Sequence, residues 1–284
     1  MSAGPLPGRH ELGQNLLVDA SVPAAMAAVV AGWEPRPLLE LGAGDGALTA
    51  ALLGLGRPLT AVEIDPHRVD RLRRRFGERV RVRHGDLVGE PLDRGDDVVS
   101  NVPFGLTTPL LRRLLGAPRW GHALLVLQWE VARKRAAVGG TTQLTAQWWP
   151  WFAFVLHDRV PARAFRPVPA VDAGVLEIVR RRAPLVPVVE RAAYRRLVTA
   201  VFAGRGRGVV EIAARVTGRA VVRRWADEHG LTGAALPRDL DAEQWAGLHA
   251  LAGAGGVSPS PRPRSPRART ASGTRRTPRR PGSS

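Results

Sequence analysis

The feature that most constrains this chain is a short apolar run that leads into a glycine-rich turn. Residues 38–41 read Leu-Leu-Glu-Leu, which predicts a buried strand, and Gly42, Gly44 and Gly46 follow it. A helix is expected to begin near Ala47. Glycine between a strand and a helix allows the backbone to approach a ligand closely at the helix N-terminus. The same letters fit the dinucleotide-binding fingerprint, so the turn alone leaves the ligand open.

The pattern around this turn is that of a doubly wound α/β fold. Between residues 38 and 179, short apolar runs alternate with longer amphipathic segments, as in a mostly parallel sheet with crossover helices. We predict strands at residues 38–41, 59–64, 80–83, 98–101, 123–128, 151–156 and 175–179. Only the proline-rich stretch 160–171 separates the last two strands. Because proline disfavours a crossover helix, we expect this pair to be antiparallel and the final strand to be reversed.

The C-terminal part of the chain has a different periodicity. After Pro187, residues 188–202, 209–216, 221–229 and 242–251 each carry the pattern of an amphipathic helix. We therefore predict one domain at residues 1–183 and a small helical domain at residues 184–255. Residues 256–284 consist mainly of Ser, Pro, Arg, Gly and Thr. They cannot bury enough apolar surface to offset the entropy of ordering, and we expect them to be disordered.

The charge of the chain indicates a polyanionic partner. The formal net charge is +17, and the last 28 residues contribute eight arginines and no acid, so the rest of the chain still carries +9. Each arginine that meets a phosphate releases condensed counterions, which favours nucleic acid over a membrane surface. The absence of cysteine excludes disulfides, thiolate metal ligands and a cysteine nucleophile. Neither a signal peptide nor a membrane-spanning run is recognisable, so we expect a cytoplasmic protein without a membrane partner.

Acidic residues near the glycine-rich turn favour S-adenosylmethionine over a dinucleotide as the cofactor. Glu40 and Asp45 would repel a pyrophosphate, but they suit the sulfonium and ammonium groups of S-adenosylmethionine. Glu63 lies at the end of the second predicted strand. Its spacing is about that expected of a carboxylate that accepts hydrogen bonds from both ribose hydroxyls.

The end of the third predicted strand completes this candidate cofactor site. Asp86 is expected beside the adenine ring, where its carboxylate can accept from the adenine amine. Ile64 and Leu87 could sandwich the ring. The alternative is that these acids only cap helices or face solvent. Their order along the chain favours the cofactor site.

The fourth predicted strand delivers Asn101-Val102-Pro103-Phe104 at its carboxyl end, where doubly wound folds bind ligands. The Asn101 side-chain oxygen and the Val102 carbonyl can accept the two hydrogens of an aromatic amine, which frees the nitrogen lone pair for methylation. Pro103 holds the turn extended, and Phe104 can stack on the base. Taken alone, the same letters also describe a plain turn with a buried phenylalanine.

With these motifs in view, the chain resembles the erythromycin-resistance (Erm) family of ribosomal RNA adenine N6-methyltransferases from about residue 10 to residue 253. Residues 13–17, Gly-Gln-Asn-Leu-Leu, are similar to the family's Gln-Asn-Phe-Leu segment, which lies over the cofactor. Residues 165–172 are similar to its proline-rich segment near the target base, which implies an RNA contact by Phe165. The cofactor contacts that the resemblance implies are Asn15, Leu17, Gly42, Gly44, Glu63, Asp86 and Asn101.

The resemblance implies a Rossmann-like class I methyltransferase sheet, a C-terminal helical domain that binds RNA, and a defined activity. That activity is mono- or dimethylation of one adenine in 23S rRNA, or in the assembling large subunit, at the peptidyl transferase region. It would confer resistance to macrolides, lincosamides and streptogramin B. The protein is expected to act as a monomer, and its histidines show no metal-ligand spacing.

Two departures from the family pattern leave the number of methyl groups open. Phe104 stands where many relatives have tyrosine, and Leu16 replaces the usual phenylalanine. The nearest alternative is a small-subunit (16S) rRNA adenine dimethyltransferase, which shares nearly all these motifs. A non-catalytic RNA-binding protein on the same fold is a further alternative. An NAD-dependent oxidoreductase is supported by the glycine pattern alone.

Several further residues are candidates for RNA contact. Five basic residues near the rim of the predicted site could grip phosphate, although a solvated helix face would look the same: Arg112, Arg113, Arg133, Lys134 and Arg135. The aromatic run at residues 148–152, Trp-Trp-Pro-Trp-Phe, could stack on RNA bases. Aromatic residues at the start of a strand more often belong to the core, and we favour that interpretation.

Overall fold

The computed structural model describes residues 15–254 and contains nine strands within that range. Seven of them form one sheet in the order β4-β3-β2-β5-β6-β9-β7, and the other two, β1 and β8, form a separate antiparallel pair. The strands are β1 (Leu16–Leu17), β2 (Leu38–Leu41), β3 (Leu59–Glu63), β4 (Arg81–His84), β5 (Asp97–Asn101), β6 (His122–Gln128), β7 (Phe152–Val160), β8 (Phe165–Arg166) and β9 (Ala173–Arg180).

Ten α-helices accompany these strands within residues 15–254. They are α1 (Ser21–Ala31), α2 (Ala47–Leu53), α3 (Pro66–Phe76), α4 (Thr107–Gly116), α5 (Trp129–Arg135), α6 (Gln143–Trp148), α7 (Arg191–Ala203), α8 (Val209–Thr217), α9 (Arg219–Glu228) and α10 (Ala242–Ala254). No helix in this part of the chain is long and apolar enough to cross a membrane.

The sheet has the topology that the sequence predicts. β2, β3, β4, β5 and β6 are joined by parallel pairings. β9 is antiparallel to both of its neighbours, β6 and β7, which confirms the reversed final strand. The chain runs outward from β2 to β4 and then crosses to β5 on the other side of β2. Such a reversal of strand order opens a crevice at the carboxyl ends of the strands, where doubly wound folds bind ligands.

The turn between β2 and α2 can be built only with glycine at Gly46. Its φ is +80°, in the left-handed region, and a Cβ there would lie 2.7 Å from the Leu72 Cδ2 atom and 2.8 Å from the Phe76 ring. The backbone of α2 therefore starts directly against α3. This close approach fixes the glycine turn beside the carboxyl edge of the sheet.

A hydrophobic core lies on each face of the sheet. One core contains apolar residues of α1, α2 and α3. The other runs from α4 through Trp148, Trp151 and Phe152 to Tyr194 and the C-terminal helices without interruption. These three aromatic residues of the 148–152 run are buried, which supports their interpretation as core. Because the sheet and the helices share this core, the division at residues 183 and 184 stays a prediction.

The structure corrects the expectation for Phe165. Its side chain is fully buried within the core on the α1 side of the sheet, and its residue pairs with Leu17 between β8 and β1. The prediction that Phe165 contacts RNA is wrong, since a side chain without exposed surface cannot stack on a base. The predicted disorder of residues 256–284 lies outside the described residues.

Candidate active site

A cleft lies at the carboxyl ends of β2, β3, β4 and β5. Nine of the residues predicted from the sequence line it: Asn15, Gly42, Gly44, Glu63, Ile64, Asp86, Leu87, Asn101 and Pro103. Sequence reasoning missed Leu16, Gly85 and Leu106, which also line the cleft.

Two other predicted site residues, Leu17 and Phe104, do not line this cleft. Leu17 lines an adjoining hollow together with Glu40, Arg75 and Arg166. Leu16 and Asn101 line both the main cleft and this hollow, so the two spaces adjoin. Phe104 is half-buried and packs against the core on the α1 side of the sheet. It follows Pro103 directly in the chain.

Glu63 ties the glycine turn to the end of β3. Its Oε2 atom accepts from the Gly44 N–H at 2.7 Å, and its Oε1 atom accepts from the N–H groups of Ile64 and Asp65, both at 3.0 Å. The side chain is 1% exposed. A carboxylate offers about four lone-pair sites, so one acceptor position is left beyond these three bonds. Glu63 therefore accepts from backbone N–H groups, as expected if these acids only cap backbone, but it also lines the cleft.

The glycines of the turn leave room that a side chain would fill. Gly42 and Gly44 have φ values of +75° and +57°, in the left-handed region. A Cβ on Gly44 would lie 3.0 Å from the Leu16 Cδ2 atom, and one on Gly42 would lie 3.5 Å from the Leu87 Cδ2 atom. The backbone of the turn thus forms one wall of the cleft, with leucines opposite.

Glu40 and Asp45 differ in charge state and pairing from what the sequence predicts. Glu40 is 1% exposed, and burial, together with the nearby Glu63, raises its pKa to about 8, although a hydrogen bond from Thr49 opposes this rise. Glu40 is therefore mostly protonated at neutral pH. Asp45 is paired with Arg71 at 2.8 Å. Neither acid supplies the free negative charge that the sequence analysis expects of it.

Asn101 is held in a defined orientation by the chain segment that precedes β1. Its Nδ2 atom donates to the Asn15 carbonyl oxygen at 2.8 Å. Since only the amide nitrogen can donate, this bond decides which end of the amide is the nitrogen and leaves Oδ1 as an acceptor. The next residue, Val102, is buried and donates its N–H to the Val126 carbonyl of β6 at 3.2 Å. The tetrapeptide is thus anchored on two sides.

Asp86 and its neighbours form the far wall of the cleft. The Asp86 Oδ1 atom accepts from the Val88 N–H at 3.0 Å, and the residue is exposed. Ile64 is 42% exposed, and Leu87 is 7% exposed. An apolar side chain that stays exposed in a cleft, beside a carboxylate, suits a flat aromatic ligand with a polar edge.

The basic residues proposed for RNA contact divide into two groups. Arg133 pairs with Glu130 at 3.0 Å, and Arg135 donates to the Thr142 hydroxyl at 2.6 Å, while burial lowers its pKa. Both side chains are thus bonded within the fold, and Arg113 likewise donates to the Gly89 and Glu90 carbonyls. Arg112 and Lys134 are exposed and, among the described residues, have no carboxylate within 4 Å. They stay candidates for phosphate contact.

The fold and the cleft together define a class of protein. A seven-stranded sheet with one reversed strand and a glycine turn, a carboxylate and an Asn-Val-Pro-Phe segment at its carboxyl edge are those of a class I methyltransferase. The comparisons with known proteins then give the family. Residues 6–252 match the family described as "Ribosomal RNA adenine dimethylase".

Individual relatives agree with this match. The chain is 52% identical over 269 residues to the mycinamicin-resistance protein MyrB of Micromonospora griseorubida, with 93% of this chain and 86% of that protein covered. It is 45% identical to an rRNA adenine N-6-methyltransferase of Corynebacterium diphtheriae, over 73% of this chain and 83% of that protein. The crystal structure of the 23S rRNA methyltransferase ErmE superposes with a TM-score of 0.76 at 30% identity, covering 84% of this chain and all of that one.

The chain belongs to the ribosomal RNA adenine dimethylase family. This confirms the resemblance that the motifs at residues 13–17, 42–46 and 101–104 predict.

Proposed function

We propose that this protein transfers a methyl group from S-adenosylmethionine to N6 of one adenine in the peptidyl transferase region of 23S rRNA. The modification confers resistance to macrolides, lincosamides and streptogramin B. The observation that carries the proposal is the bond from Asn101 Nδ2 to the Asn15 carbonyl, which presents an acceptor oxygen in the cleft. The 52% identity to a mycinamicin-resistance protein supports the large-subunit target. The enzyme acts in the cytoplasm as a monomer and without a metal.

The residues of the cleft fit S-adenosylmethionine. The bare backbone of Gly42 and Gly44 leaves a cradle that a Cβ would narrow, and Glu63 keeps an acceptor position for a ribose hydroxyl. Asp86 would accept from the adenine amine, with Ile64 and Leu87 against the ring. When bound, the cofactor supplies an electrophilic methyl carbon and a sulfonium leaving group.

The chain's own residues position the target amine. The Asn101 Oδ1 atom and the Val102 carbonyl accept its two hydrogens, which draws the nitrogen lone pair out of conjugation with the ring. Phe104 stacks on the base, a contact worth roughly 1–3 kcal/mol. Alignment of the amine with the methyl carbon does most of the remaining work. After transfer the cationic nitrogen loses a proton readily, so little general-base catalysis is needed.

The experiment that tests this function offers the enzyme two RNA substrates. Protein-free 23S rRNA and 16S rRNA are incubated separately with labelled S-adenosylmethionine, and the modified position is mapped by primer extension. We expect label on a single adenine of 23S rRNA. Label confined to 16S rRNA would instead establish the small-subunit activity, and label on neither would contradict methyl transfer to rRNA.

A further inference from the structure

A row of arginines and aromatic rings lies at the edge of the sheet opposite the candidate active site. Arg180 is the last residue of β9, and its Cζ atom lies 4.9 Å from the ring centroids of both Trp120 and Phe152. Those two rings are stacked at 5.1 Å. Phe152 in turn packs on Trp148, at 6.1 Å between centroids. The aromatic cluster is therefore continuous from Trp120 to Trp148, and its rings are buried beneath the guanidinium groups.

The first two turns of α7 extend this row. The Arg191 Cζ atom lies 5.0 Å from the Trp151 ring and 5.4 Å from the Trp148 ring, and the Arg195 Cζ atom lies 4.8 Å from the Trp148 ring. Residues four apart share one face of a helix, so both guanidinium groups lie over the Trp148 ring. We call Arg180, Arg191 and Arg195 the arginine row.

The arginine row has no counter-charge. None of its three members has a carboxylate within 4 Å among residues 15–254. The nearest acid in the chain, Glu190, pairs instead with His249 at 2.8 Å. Burial and then the charge of Arg191 lower the pKa of Arg180, and burial and then the charge of Arg195 lower that of Arg191. Three like charges thus repel one another within a surface that offers no carboxylate.

The helices beside the arginine row carry no acids. The helices α4, α6 and α7 contain no aspartate or glutamate. Neutral polar side chains continue the surface beside Arg195: Gln143 and Gln147 of α6 donate to the Thr199 hydroxyl at 3.3 and 2.8 Å. This combination of stacked guanidinium groups and neutral donors is that of an anion-binding surface.

The guanidinium groups still have donors for an external acceptor. The Nε atoms of Arg191 and Arg195 are buried against the rings without a partner in the described part of the chain. Arg180 uses Nε and Nη2 for the Trp120 and Ala117 carbonyls. The remaining Nη groups are thus the donors that a phosphate could meet, and stacking holds each planar group in place.

We propose that the arginine row binds backbone phosphates of the RNA substrate and so anchors that RNA away from the target adenine. The proposal rests on the proposed function, because that function supplies the RNA. The row is separate from the active site. Asn101 pairs with Val126 and Val179 pairs with His122, four residues apart along β6, which is about 13 Å at the usual rise of a strand.

The test removes two members of the row and measures the salt dependence of RNA binding. The double variant Arg191→Gln/Arg195→Gln is compared with wild type by filter binding to protein-free 23S rRNA. The salt concentration is varied from about 50 to about 300 mM, because counterion release changes the affinity strongly over this range. Each lost phosphate contact lowers the slope of log K against log salt by about 0.7–0.9. We expect a slope smaller by about 1.5 and an RNA KM raised about tenfold, with kcat retained.

The matched control removes the same formal charge from arginines that already have partners. Arg182 pairs with Glu34, and Arg224 pairs with Glu228, so the variant Arg182→Gln/Arg224→Gln should keep the wild-type slope. A slope unchanged in the Arg191/Arg195 variant, or lowered equally in both variants, overturns the proposal. Methyl transfer to rRNA by the wild-type enzyme, measured in parallel, reports separately on the proposed function.

A second measurement needs no substitution and so does not depend on the variant folding. Arginines of the wild-type protein are modified with phenylglyoxal in the presence and absence of 23S rRNA, and the modified peptides are mapped by mass spectrometry. RNA is expected to protect Arg191 and Arg195 but not Arg182. Equal modification of Arg191 and Arg195 with and without RNA overturns the proposal.

Discussion

Asn101 donates through Nδ2 to the Asn15 carbonyl, and this single bond decides which end of its amide is offered to a substrate. An acceptor oxygen in the cleft can hold an amine hydrogen, whereas an amide nitrogen there would repel it. The segment before β1 therefore positions the side chain that we propose to contact the target amine. The sequence predicts roles for Asn101 and Asn15 separately, but their separation of 86 positions along the chain hides their contact.

Replacing Asn101 with Asp keeps the size of the side chain but removes the donor to Asn15. The aspartate would face that carbonyl with a negative oxygen and lose its fixed orientation. We expect kcat for methyl transfer to fall by about 10²-fold or more, while the affinity for S-adenosylmethionine, measured by calorimetry, stays close to wild type. The variant Asn101→Ala should behave in the same way. Wild-type turnover in either variant would refute the role assigned to Asn101.

Glu40 makes stability depend on pH because its pKa is about 8 when folded and near the ordinary value for Glu when unfolded. A group with a raised folded pKa stabilises the folded state fully below its unfolded pKa and loses that contribution as pH rises to the folded pKa. We expect wild type to lose on the order of a few kcal/mol from this group between about pH 4.5 and pH 8.

The variant Glu40→Gln isolates this effect, since glutamine can still accept from the Thr49 hydroxyl, which lies 2.6 Å from the Glu40 Oε2 atom. Urea unfolding across this pH range should show a flatter stability profile for the variant than for wild type. Other titrating groups are common to both proteins and cancel in the comparison. Parallel profiles would contradict the assignment of a raised pKa to Glu40.

At the scale of elements, the strands of the large sheet are predictable because most have an apolar run bounded by breakers, and in β4 valine alternates with arginine. β1 and β8 are not, since two residues cannot show an alternating pattern. This gap explains one missed residue and one error near the N-terminal segment. Leu16 lines the main cleft, and Phe165 is buried by a pairing to β1 that no local pattern indicates. The cofactor contact of Leu17 stays a prediction.

The start of α2 against α3 gives a prediction at the same scale. Gly46→Ala would force a left-handed backbone on alanine and also drive its Cβ into Leu72 and Phe76. We expect a loss of about 2–5 kcal/mol in the free energy of unfolding by urea, the sum of backbone strain and overpacking.

The matched control for this change is Gly56→Ala. Gly56 also has a left-handed φ, +66°, but no atom lies within 4 Å of a Cβ built there. In Gly56→Ala the free energy of unfolding should fall only by the cost of backbone strain, about 1 kcal/mol. Equal losses in the two variants would show that the contact between α2 and α3 does not determine the requirement for Gly46.

Over the whole molecule, net charge predicts a polyanionic partner but not where that partner binds. Several arginines that look available in the sequence are neutralised in the structure, such as Arg133 by Glu130. Arg191 and Arg195 stay uncompensated only because α7 packs on tryptophans from a distant part of the chain. Whether an arginine is paired with an acid or stacked on a ring depends on tertiary contacts, and these cannot be deduced from amino-acid composition.

The last 28 residues, with their eight arginines, are expected to add nonspecific affinity for RNA. Truncation after Gly256 should lower the salt slope of 23S rRNA binding by at least about 1 and leave kcat close to that of the full chain. Filter binding and methyl-transfer assays on both proteins make the comparison. An inactive truncated enzyme that remains folded would show that these residues take part in catalysis.

We propose that Asn101 and Val102 hold the exocyclic amine of an adenine for methylation. This is tested by digesting 23S rRNA to nucleosides after equal, short incubations with S-adenosylmethionine and either wild type or Asn101→Ala, and by identifying and quantifying the methylated nucleoside by mass spectrometry. We expect N6-methylated or N6,N6-dimethylated adenosine with wild type and about 10²-fold less or none with the variant. A methyl group on a ring nitrogen or carbon, or equal product from both proteins, would contradict it.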